Sequence, residues 1–183
     1  CYGDGGALYT NDDSLAEKIR SIANHGMKKR YYHDDIGVNS RLDTIQAAIL
    51  RVKLINLETY NAARKDAAEF YDKALSVCPG IIVPARMTYS THIFHQYTLR
   101  ILNGKRQDLK EYLESKQIPS MIYYPVPLHL QEAYSFLRTR RKAFPVTDKL
   151  CSEVLSLPMH TEMDLEQLEY ITTSILEFFE KQK

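Results

Sequence analysis

Two short runs of basic side chains are the residues of this sequence best suited to bind an anion. The first run is Lys28-Lys29-Arg30, and the second, at 138–142, contains Arg138, Arg140, Arg141 and Lys142. Solvated surface charge is one explanation. Another is an anionic small molecule, because a diphosphate needs cations and N–H donors that converge on it. Nucleic acid is a third candidate, but the net charge of +1 argues against it, since such binding neutralises many phosphates at once.

Motifs of other common sites are missing from the sequence. Residues 3–6 are glycine-rich but lack the lysine and the preceding strand of a phosphate-binding loop, so they indicate a turn. His92 and His95 have no third ligand at metal-binding spacing, which argues against a zinc site. No Gly-x-Ser-x-Gly nucleophile motif occurs either. We therefore expect no metal and no self-contained catalytic group.

The elements that must position the first basic run begin with a short strand at 5–10 and the turn 11–13. Asp12, Asp13 or Ser14 can cap a following helix, which Gly26 stops. The apolar face expected for this helix is Leu15, Ile19, Ile22 and Ala23. Residues 26–40 then form a long polar loop, and long structured loops are usually functional.

A long helical pattern follows over residues 41–75, with apolar residues at three- and four-residue steps. These apolar positions are Leu42, Ile45, Ile49, Val52, Ala63, Ala67, Phe70 and Ala74. A straight helix of this length would span about 50 Å, which is longer than a small domain is wide. We therefore expect it either to link two bodies or to bend at Asn56 or Asn61, with an apolar stripe that needs a partner.

The rest of the chain predicts a compact α/β unit. Its expected elements are a half-buried strand at 95–101, an amphipathic helix at 105–117, a strand at 121–123, a helix around 147–154 and an apolar run at 155–158. Thr161 and Asp164 have capping-box spacing before a final helix. The core face expected for that helix is Leu168, Ile171, Ile175 and Phe178.

The bulk composition excludes several classes of protein. The chain has 183 residues, of which 44% are hydrophobic and 26% charged, values typical of globular domains. No apolar stretch approaches the roughly 20 residues that span a bilayer. The three scattered cysteines indicate free thiols in a reducing cytoplasm. We therefore expect a cytoplasmic protein without nucleic-acid or membrane partners.

Several blocks occur in an order that resembles one enzyme family. In sequence they are CYGDGGALYTND, IRSIANHG, YYHDDIGVNSRLDTIQAAIL, THIFHQYTLRI, IYYPVPLHLQEAY, FPVTDKL and LSLPMH. Together they resemble the DegT/DnrJ/EryC1/StrS family of sugar-nucleotide enzymes that use pyridoxal 5'-phosphate (PLP). The resemblance covers essentially the whole chain, and the pair GVNSRLD and PLH is its most specific part.

The resemblance implies a fold class and a domain plan. The fold would be α/β, the C-terminal small domain of a fold-type I PLP enzyme, with a small mostly antiparallel sheet and flanking helices. Residues 1–40 would be a remnant of the large PLP-binding domain and its active-site loop, 41–78 a long linking helix, and 79–183 the small domain. In the family, the Schiff-base lysine lies a few residues before the turn that opens this chain. We therefore expect a fragment without that lysine, inactive alone and with no PLP bound.

The resemblance also implies roles for individual residues. Asn39 matches an asparagine that reaches the PLP phosphate of the dimer partner, and its amide N–H groups suit an anion. Arg41 matches a pocket arginine whose planar fork suits a carboxylate or phosphate. A simpler role for Asn39 is a cap on the long helix, which is compatible with the first role. Simpler roles for Arg41 are an ion pair with Asp43 or a place on the helix surface. The remaining expected substrate-binding residues are Lys29, Arg30, Tyr31 and His33 in the loop, and Tyr123 and His129 in the small domain.

The implied activity of the intact enzyme is transamination. An amino group would move from glutamate or glutamine, through PLP, to a nucleoside-diphosphate keto-sugar in a homodimer. A PLP-dependent sugar dehydratase of the same family is one alternative, in which histidine replaces the lysine. A non-catalytic interaction or sensory module is another. The residue that decides between transfer and elimination would lie upstream of Cys1.

Overall fold

The computed structural model describes residues 2–137 and 143–181. It divides into two units, Cys1–Leu57 (unit one) and Glu58–Lys183 (unit two), each described by itself below. Within the described ranges, no helix has both the length and the apolar character needed to cross a membrane.

Unit one begins with an extended segment and a capped helix. Residues 5–10 form no strand, because no other described segment pairs with them, and Leu8 and Tyr9 are 78% and 100% exposed. The predicted strand is therefore wrong for this structure. Helix α1 (Asp13–Ala23) begins where the Asp12 side chain accepts a hydrogen bond from the Leu15 amide at 3.0 Å. This bond confirms Asp12 as the cap.

Gly26 stops α1, as the sequence predicts. Its φ of +73° lies in the left-handed region, and its amide donates to the Ser21 carbonyl at 2.7 Å. The apolar face predicted for α1 is only partly covered in unit one, since Leu15 and Ile22 are exposed and Ser21 is the buried residue of the helix.

The polar loop predicted at 26–40 contains a small antiparallel hairpin and leads to a second helix. Its strands are β1 (Met27–Lys29) and β2 (Tyr32–His33). Helix α2 (Thr44–Leu54) follows and buries none of its residues. The helix predicted over 41–75 is interrupted at Ile55 and Asn56, and Asn56 is one of the two positions where the sequence predicted an irregularity.

Unit two contains a three-stranded antiparallel sheet in the order β3-β4-β5. The strands are β3 (Ile81–Ile82), β4 (Tyr97–Ile101) and β5 (Val154–Leu157). Tyr97, Leu99 and Ile101 of the central strand are buried at every second position, which confirms the predicted alternation. The sequence predicts a further strand at 121–123. In the structure this segment forms only an isolated bridge between Met121 and Ser156.

Four helices surround this sheet. They are α3 (Leu57–Leu75, of which Leu57 belongs to unit one), α4 (Arg106–Ser115), α5 (Pro145–Glu153) and α6 (Leu165–Glu180), with 3-10 turns at Leu128–Leu130 and Glu132–Leu137. The capping box of α6 consists of Asp164 and Gln167, not Thr161 and Asp164. Asp164 is the residue with extended backbone directly before the helix, so its side chain is the one that reaches the third amide.

The core of unit two lies between the sheet and these helices. Its largest fully buried side chains are Tyr71, Tyr97, Phe94, Leu75, Leu99, Ile101, Leu109, Leu113, Leu155 and Ile175. All four residues predicted as the core face of α6 are buried. Cys78 and Cys151 are free thiols, as predicted. The structure therefore confirms an α/β fold with a small antiparallel sheet.

Candidate functional site

The hairpin of unit one displays four of the predicted substrate-binding residues. Lys29 lies over the Tyr32 ring at 4.8 Å, and Arg30 lies over the Tyr31 ring at 4.9 Å. Tyr31 is 75% exposed and adopts a positive φ of 68° at the turn. His33 is exposed and its Nδ1 is 2.8 Å from the His25 carbonyl. Cations and aromatic faces thus share one exposed turn, which suits an anionic ligand with flat groups.

Asn39 and Arg41 are the second group in unit one. The Asn39 backbone is fixed by its neighbours, because the Val38 and Ser40 amides donate to carbonyls at the end of α1 at 2.8 and 2.9 Å. Its side chain is exposed, and Oδ1 accepts a hydrogen bond from Arg41 Nε at 3.2 Å. The Asn39 amide N–H groups and the outer Arg41 nitrogens form no hydrogen bond to the described residues, and both side chains are exposed.

Two of the simpler roles are not formed in the described chain, and Arg41 is exposed. The residue at the N-terminus of α2 is Asp43, without a side-chain cap bond, so Asn39 does not cap that helix. No ion pair joins Arg41 to Asp43 within the described chain. Within the described residues, the remaining donors of Asn39 and Arg41 are therefore available to a ligand.

Asp35 anchors the loop that holds these residues. Its carboxylate accepts hydrogen bonds from Lys18 Nζ and from Ser21 Oγ, the latter at 2.7 Å. The Lys18 ammonium, with Ser21, lowers the pKa of Asp35 below its usual range. The charge on Asp35 therefore ties the loop to α1. Sequence reasoning missed this residue, because lysine and aspartate 17 positions apart show no local pattern.

Two glycines pack the same loop closely. A Cβ on Gly37 would lie 2.1 Å from the Gly26 amide nitrogen, and a Cβ on Gly26 would lie 1.8 Å from the Asp35 carbonyl oxygen. Only glycine allows such a backbone contact. The loop is thus a built structure and not an open tether.

Tyr123 and His129, the predicted residues of unit two, line one cavity of about 760 Å³. Its wall is formed by Tyr123, Tyr124, Val126, Pro127, Leu128, His129, Gln131, Phe144, Thr147 and Cys151. Aromatic and apolar surface with a few polar groups is typical of a small-molecule site. Sequence reasoning missed Phe144 and Thr147. Thr147 lies on α5 and Phe144 directly precedes that helix, and the fold places both in the wall of the cavity.

The histidine pair His92 and His95 and the second basic run are the remaining sequence features. His92 Nδ1 accepts a 2.8 Å hydrogen bond from the Phe94 amide, and its ring stacks on Phe94. Within 2–137 and 143–181, no cluster of three or more His, Cys, Asp or Glu residues could hold a metal ion. The second basic run, at 138–142, and Cys1 lie outside the described residues.

Comparisons with known proteins identify a family model and several relatives that match this chain. The model of the DegT/DnrJ/EryC1/StrS aminotransferase family matches residues 1–176. A UDP-2-acetamido-2-deoxy-3-oxo-D-glucuronate aminotransferase of Pseudomonas aeruginosa is 42% identical over 175 residues, which are 96% of this chain and 47% of that protein. A pleiotropic regulatory protein of Geobacillus stearothermophilus is 43% identical over 180 residues, 97% of this chain and 48% of that protein.

Solved structures show the same fold. S. venezuelae DesV matches with a TM-score of 0.93 and 34% identity, over 98% of this chain and 48% of that one. An aminotransferase from Brucella abortus matches with a TM-score of 0.89 and 41% identity, over 98% and 47%. The chain thus spans about half the length of the curated relatives it matches. It belongs to the DegT/DnrJ/EryC1/StrS aminotransferase family.

Proposed function

We propose that the protein containing this chain transfers an amino group from glutamate or glutamine to a nucleoside-diphosphate keto-sugar, with PLP as cofactor. The observation that supports this best is the pair Asn39 and Arg41, whose exposed side chains keep donors free of the described residues, in the same unit as a basic, aromatic hairpin. The names of two relatives agree, since both are nucleotide-sugar transaminases at 42% and 37% identity.

Asn39 and Arg41 hold anionic groups in this proposal. The Asn39 amide donates to the PLP phosphate of the second subunit of a homodimer, and Arg41 offers a planar fork to a phosphate or carboxylate. When bound, PLP supplies the electron sink that amino-group transfer needs. Lys29 and Arg30 contact the diphosphate, and Tyr31 and His33 flank it. The loop that presents these residues is kept in place by Asp35 and by the close contact of Gly26 and Gly37.

Unit two contributes the sugar-binding surface. Tyr123 and His129 share one cavity, which is large enough for a sugar ring and mostly apolar and aromatic in its wall. Apolar walls exclude water, and the few polar groups orient the ligand. The same proposal assigns a role to each of three segments. Residues 1–40 are a remnant of the large PLP-binding domain and its active-site loop, 41–78 are the long linking helix, and 79–183 are the small domain. A cytoplasmic location is also part of the proposal.

The test is an assay of the intact protein with PLP, glutamate or glutamine, and a panel of UDP- and dTDP-linked keto-sugars. Formation of the amino-sugar together with one equivalent of 2-oxo acid is expected. Loss of water from the sugar without oxo-acid formation would instead establish the dehydratase alternative. The 183-residue chain mixed with PLP and then dialysed is expected to retain no cofactor absorbance band, and a protein that stays yellow would contradict this.

Two substitutions connect the assay to the structure. Asn39→Ala removes a donor to the PLP phosphate and is expected to weaken PLP binding about tenfold or more, the effect of one charge-assisted hydrogen bond. Asn11→Ala, at an exposed asparagine of the same unit, is the matched control. Arg41→Lys is compared with Arg51→Lys on the exposed surface of α2. Equal effects in both pairs would overturn the assigned roles.

A regulatory or sensory role is the second candidate, because the names of two relatives point to it. One is the pleiotropic regulatory protein of Geobacillus stearothermophilus, and the other is the erythromycin biosynthesis sensory transduction protein EryC1 of Saccharopolyspora erythraea, 39% identical over 173 residues. A protein that binds nucleotide-sugars but turns over none of the panel with any amino donor would favour this candidate over transamination.

A further inference from the structure

Asp148 lies directly beside the imidazole of His129, although 19 residues separate the two in sequence. His129 lies in the 3-10 turn Leu128–Leu130, and Asp148 lies in the first turn of α5. His129 Nε2 and Asp148 Oδ1 are 3.8 Å apart, and the two side chains are 10% and 28% exposed. The edge of the Phe144 ring contacts the imidazole, with ring centroids 4.9 Å apart. The imidazole is therefore held from two sides by α5 and the residue before it.

The two facing atoms are both buried and have no hydrogen-bond partner among residues 2–137 and 143–181. A buried carboxylate oxygen without a donor is costly, and so is a buried ring nitrogen without a partner. A movement of less than about 1 Å would convert the 3.8 Å contact into a charge-assisted hydrogen bond. Because the carboxylate can only accept, the proton of that bond must be on Nε2.

The other ring nitrogen then has a defined role. Nδ1 is not among the buried atoms without a partner, and it forms no hydrogen bond to the described residues. It is therefore the ring nitrogen with access to the cavity that His129 lines. With the proton on Nε2, the neutral imidazole presents Nδ1 as an acceptor.

We propose that Asp148 is a positioning residue, which holds His129 as the Nε2–H tautomer so that Nδ1 accepts a hydrogen bond from a hydroxyl group of the ligand in the cavity. The ligand class, a sugar with free hydroxyl groups, rests on the proposed function. The tautomer and its cause rest on the geometry alone. Asp148 is assigned this role through His129, since the oxygen that faces the imidazole is buried.

Other titratable groups border the same region and are included in the design of the test. They are Tyr123 and Tyr124 before the 3-10 turn, Cys151 on α5, and Arg106 on α4, which lines an adjoining cavity with Asp148. Arg106 donates to the Cys151 carbonyl, so its charge is tied to α5 as well. Asp148 is the carboxylate among these groups, and its Oδ1 is the atom that faces the imidazole.

The experiment reads the tautomer directly by long-range ¹H–¹⁵N NMR of the ¹⁵N-labelled 183-residue chain without ligand. The His129 signals are assigned by their loss in His129→Gln. The expected result is the Nε2–H pattern above the imidazole pKa. In Asp148→Asn, an isosteric change whose amide can donate as well as accept, the excess of the Nε2–H form is expected to be lost. Glu132→Gln, at an exposed carboxylate close in sequence, is expected to leave the tautomer ratio unchanged.

An Nδ1–H pattern in the unsubstituted chain, or an unaltered His129 tautomer ratio in Asp148→Asn, would overturn the proposal. If Asp148→Asn does not fold, the tautomer of the unsubstituted chain still decides the question. In the active protein, Asp148→Asn is expected to raise KM for the nucleotide-sugar about tenfold with a smaller effect on kcat, as for one lost hydrogen bond to a ligand. The Nε2–H tautomer of His129 together with no transaminase activity would contradict the proposed function but would leave the positioning role of Asp148 supported.

Discussion

The hydroxyl group of Tyr97 donates a hydrogen bond of 2.6 Å to Oδ1 of Asp72. Tyr97 is fully buried in the central strand β4, and Asp72 lies on α3, so this bond joins the sheet to the helix that packs on it. The other carboxylate oxygen of Asp72 accepts hydrogen bonds from Arg86. The buried end of the carboxylate and its exposed end are thus both satisfied.

Removal of that phenol is expected to destabilise unit two. Tyr97→Phe removes the donor but leaves Asp72 bound to Arg86, so the loss should be about 1–2 kcal/mol in the free energy of unfolding. Urea unfolding followed by circular dichroism measures it. Tyr170→Phe is the control, since Tyr170 is half-exposed and donates to the Lys116 carbonyl at 3.0 Å. A loss no greater than that of the control would contradict the prediction.

Stability is expected to fall at alkaline pH. Burial raises the pKa of both Tyr71 and Tyr97 above the ordinary tyrosine value, and the bond to Asp72 raises that of Tyr97 further. The folded state therefore keeps these protons where the unfolded chain loses them. The stabilising contribution is complete below the unfolded pKa of about 10 and is lost as the pH rises above it.

Urea midpoints between pH 8 and pH 11 test this dependence. The midpoint should fall above about pH 10, and less steeply in Tyr97→Phe, which has one fewer buried phenol. Absorbance at 295 nm should show these two phenols ionising only with unfolding. If all tyrosines titrate near pH 10 while the fold persists, the burial argument is wrong.

Alanine at position 37 is expected to disrupt the loop of unit one. Its Cβ would lie 2.1 Å from the Gly26 amide nitrogen and 2.6 Å from the Ile22 carbonyl oxygen, and both are backbone atoms that cannot turn aside. The strain should be on the order of 2–4 kcal/mol and should speed amide hydrogen exchange across residues 24–40. Gly6→Ala is the matched control, because nothing lies within 4 Å of its added Cβ. Similar exchange in both variants would count against a tightly packed loop.

The exposed apolar surface of α2 is expected to cause self-association of the 183-residue chain. Ile45 and Val52 are 75% and 68% exposed, and α2 buries none of its residues. Such a surface is typical of a protein interface. Light scattering should show a mass that rises with concentration, and the double substitution of Ile45 and Val52 by Glu should reduce it. Leu165→Glu on α6 controls for exposed apolar residues in general. A monomer at all concentrations would contradict the prediction.

Periodicity alone predicted most of the fold. The alternation over 97–101, the core face of α6 and the stop at Gly26 are local patterns, so they are visible before any tertiary contact is known. The segment 5–10 failed as a strand for the opposite reason. A strand needs a hydrogen-bonding partner, and no described segment of this chain supplies one.

The sequence by itself determined the family, the helices and which residue types could bind an anion. Only the tertiary structure decided which of them meet. It tied Asp35 to Lys18 and placed Asp148 beside His129. The physical reason is that side-chain direction depends on how elements pack, and packing joins residues whose separation in sequence follows no period.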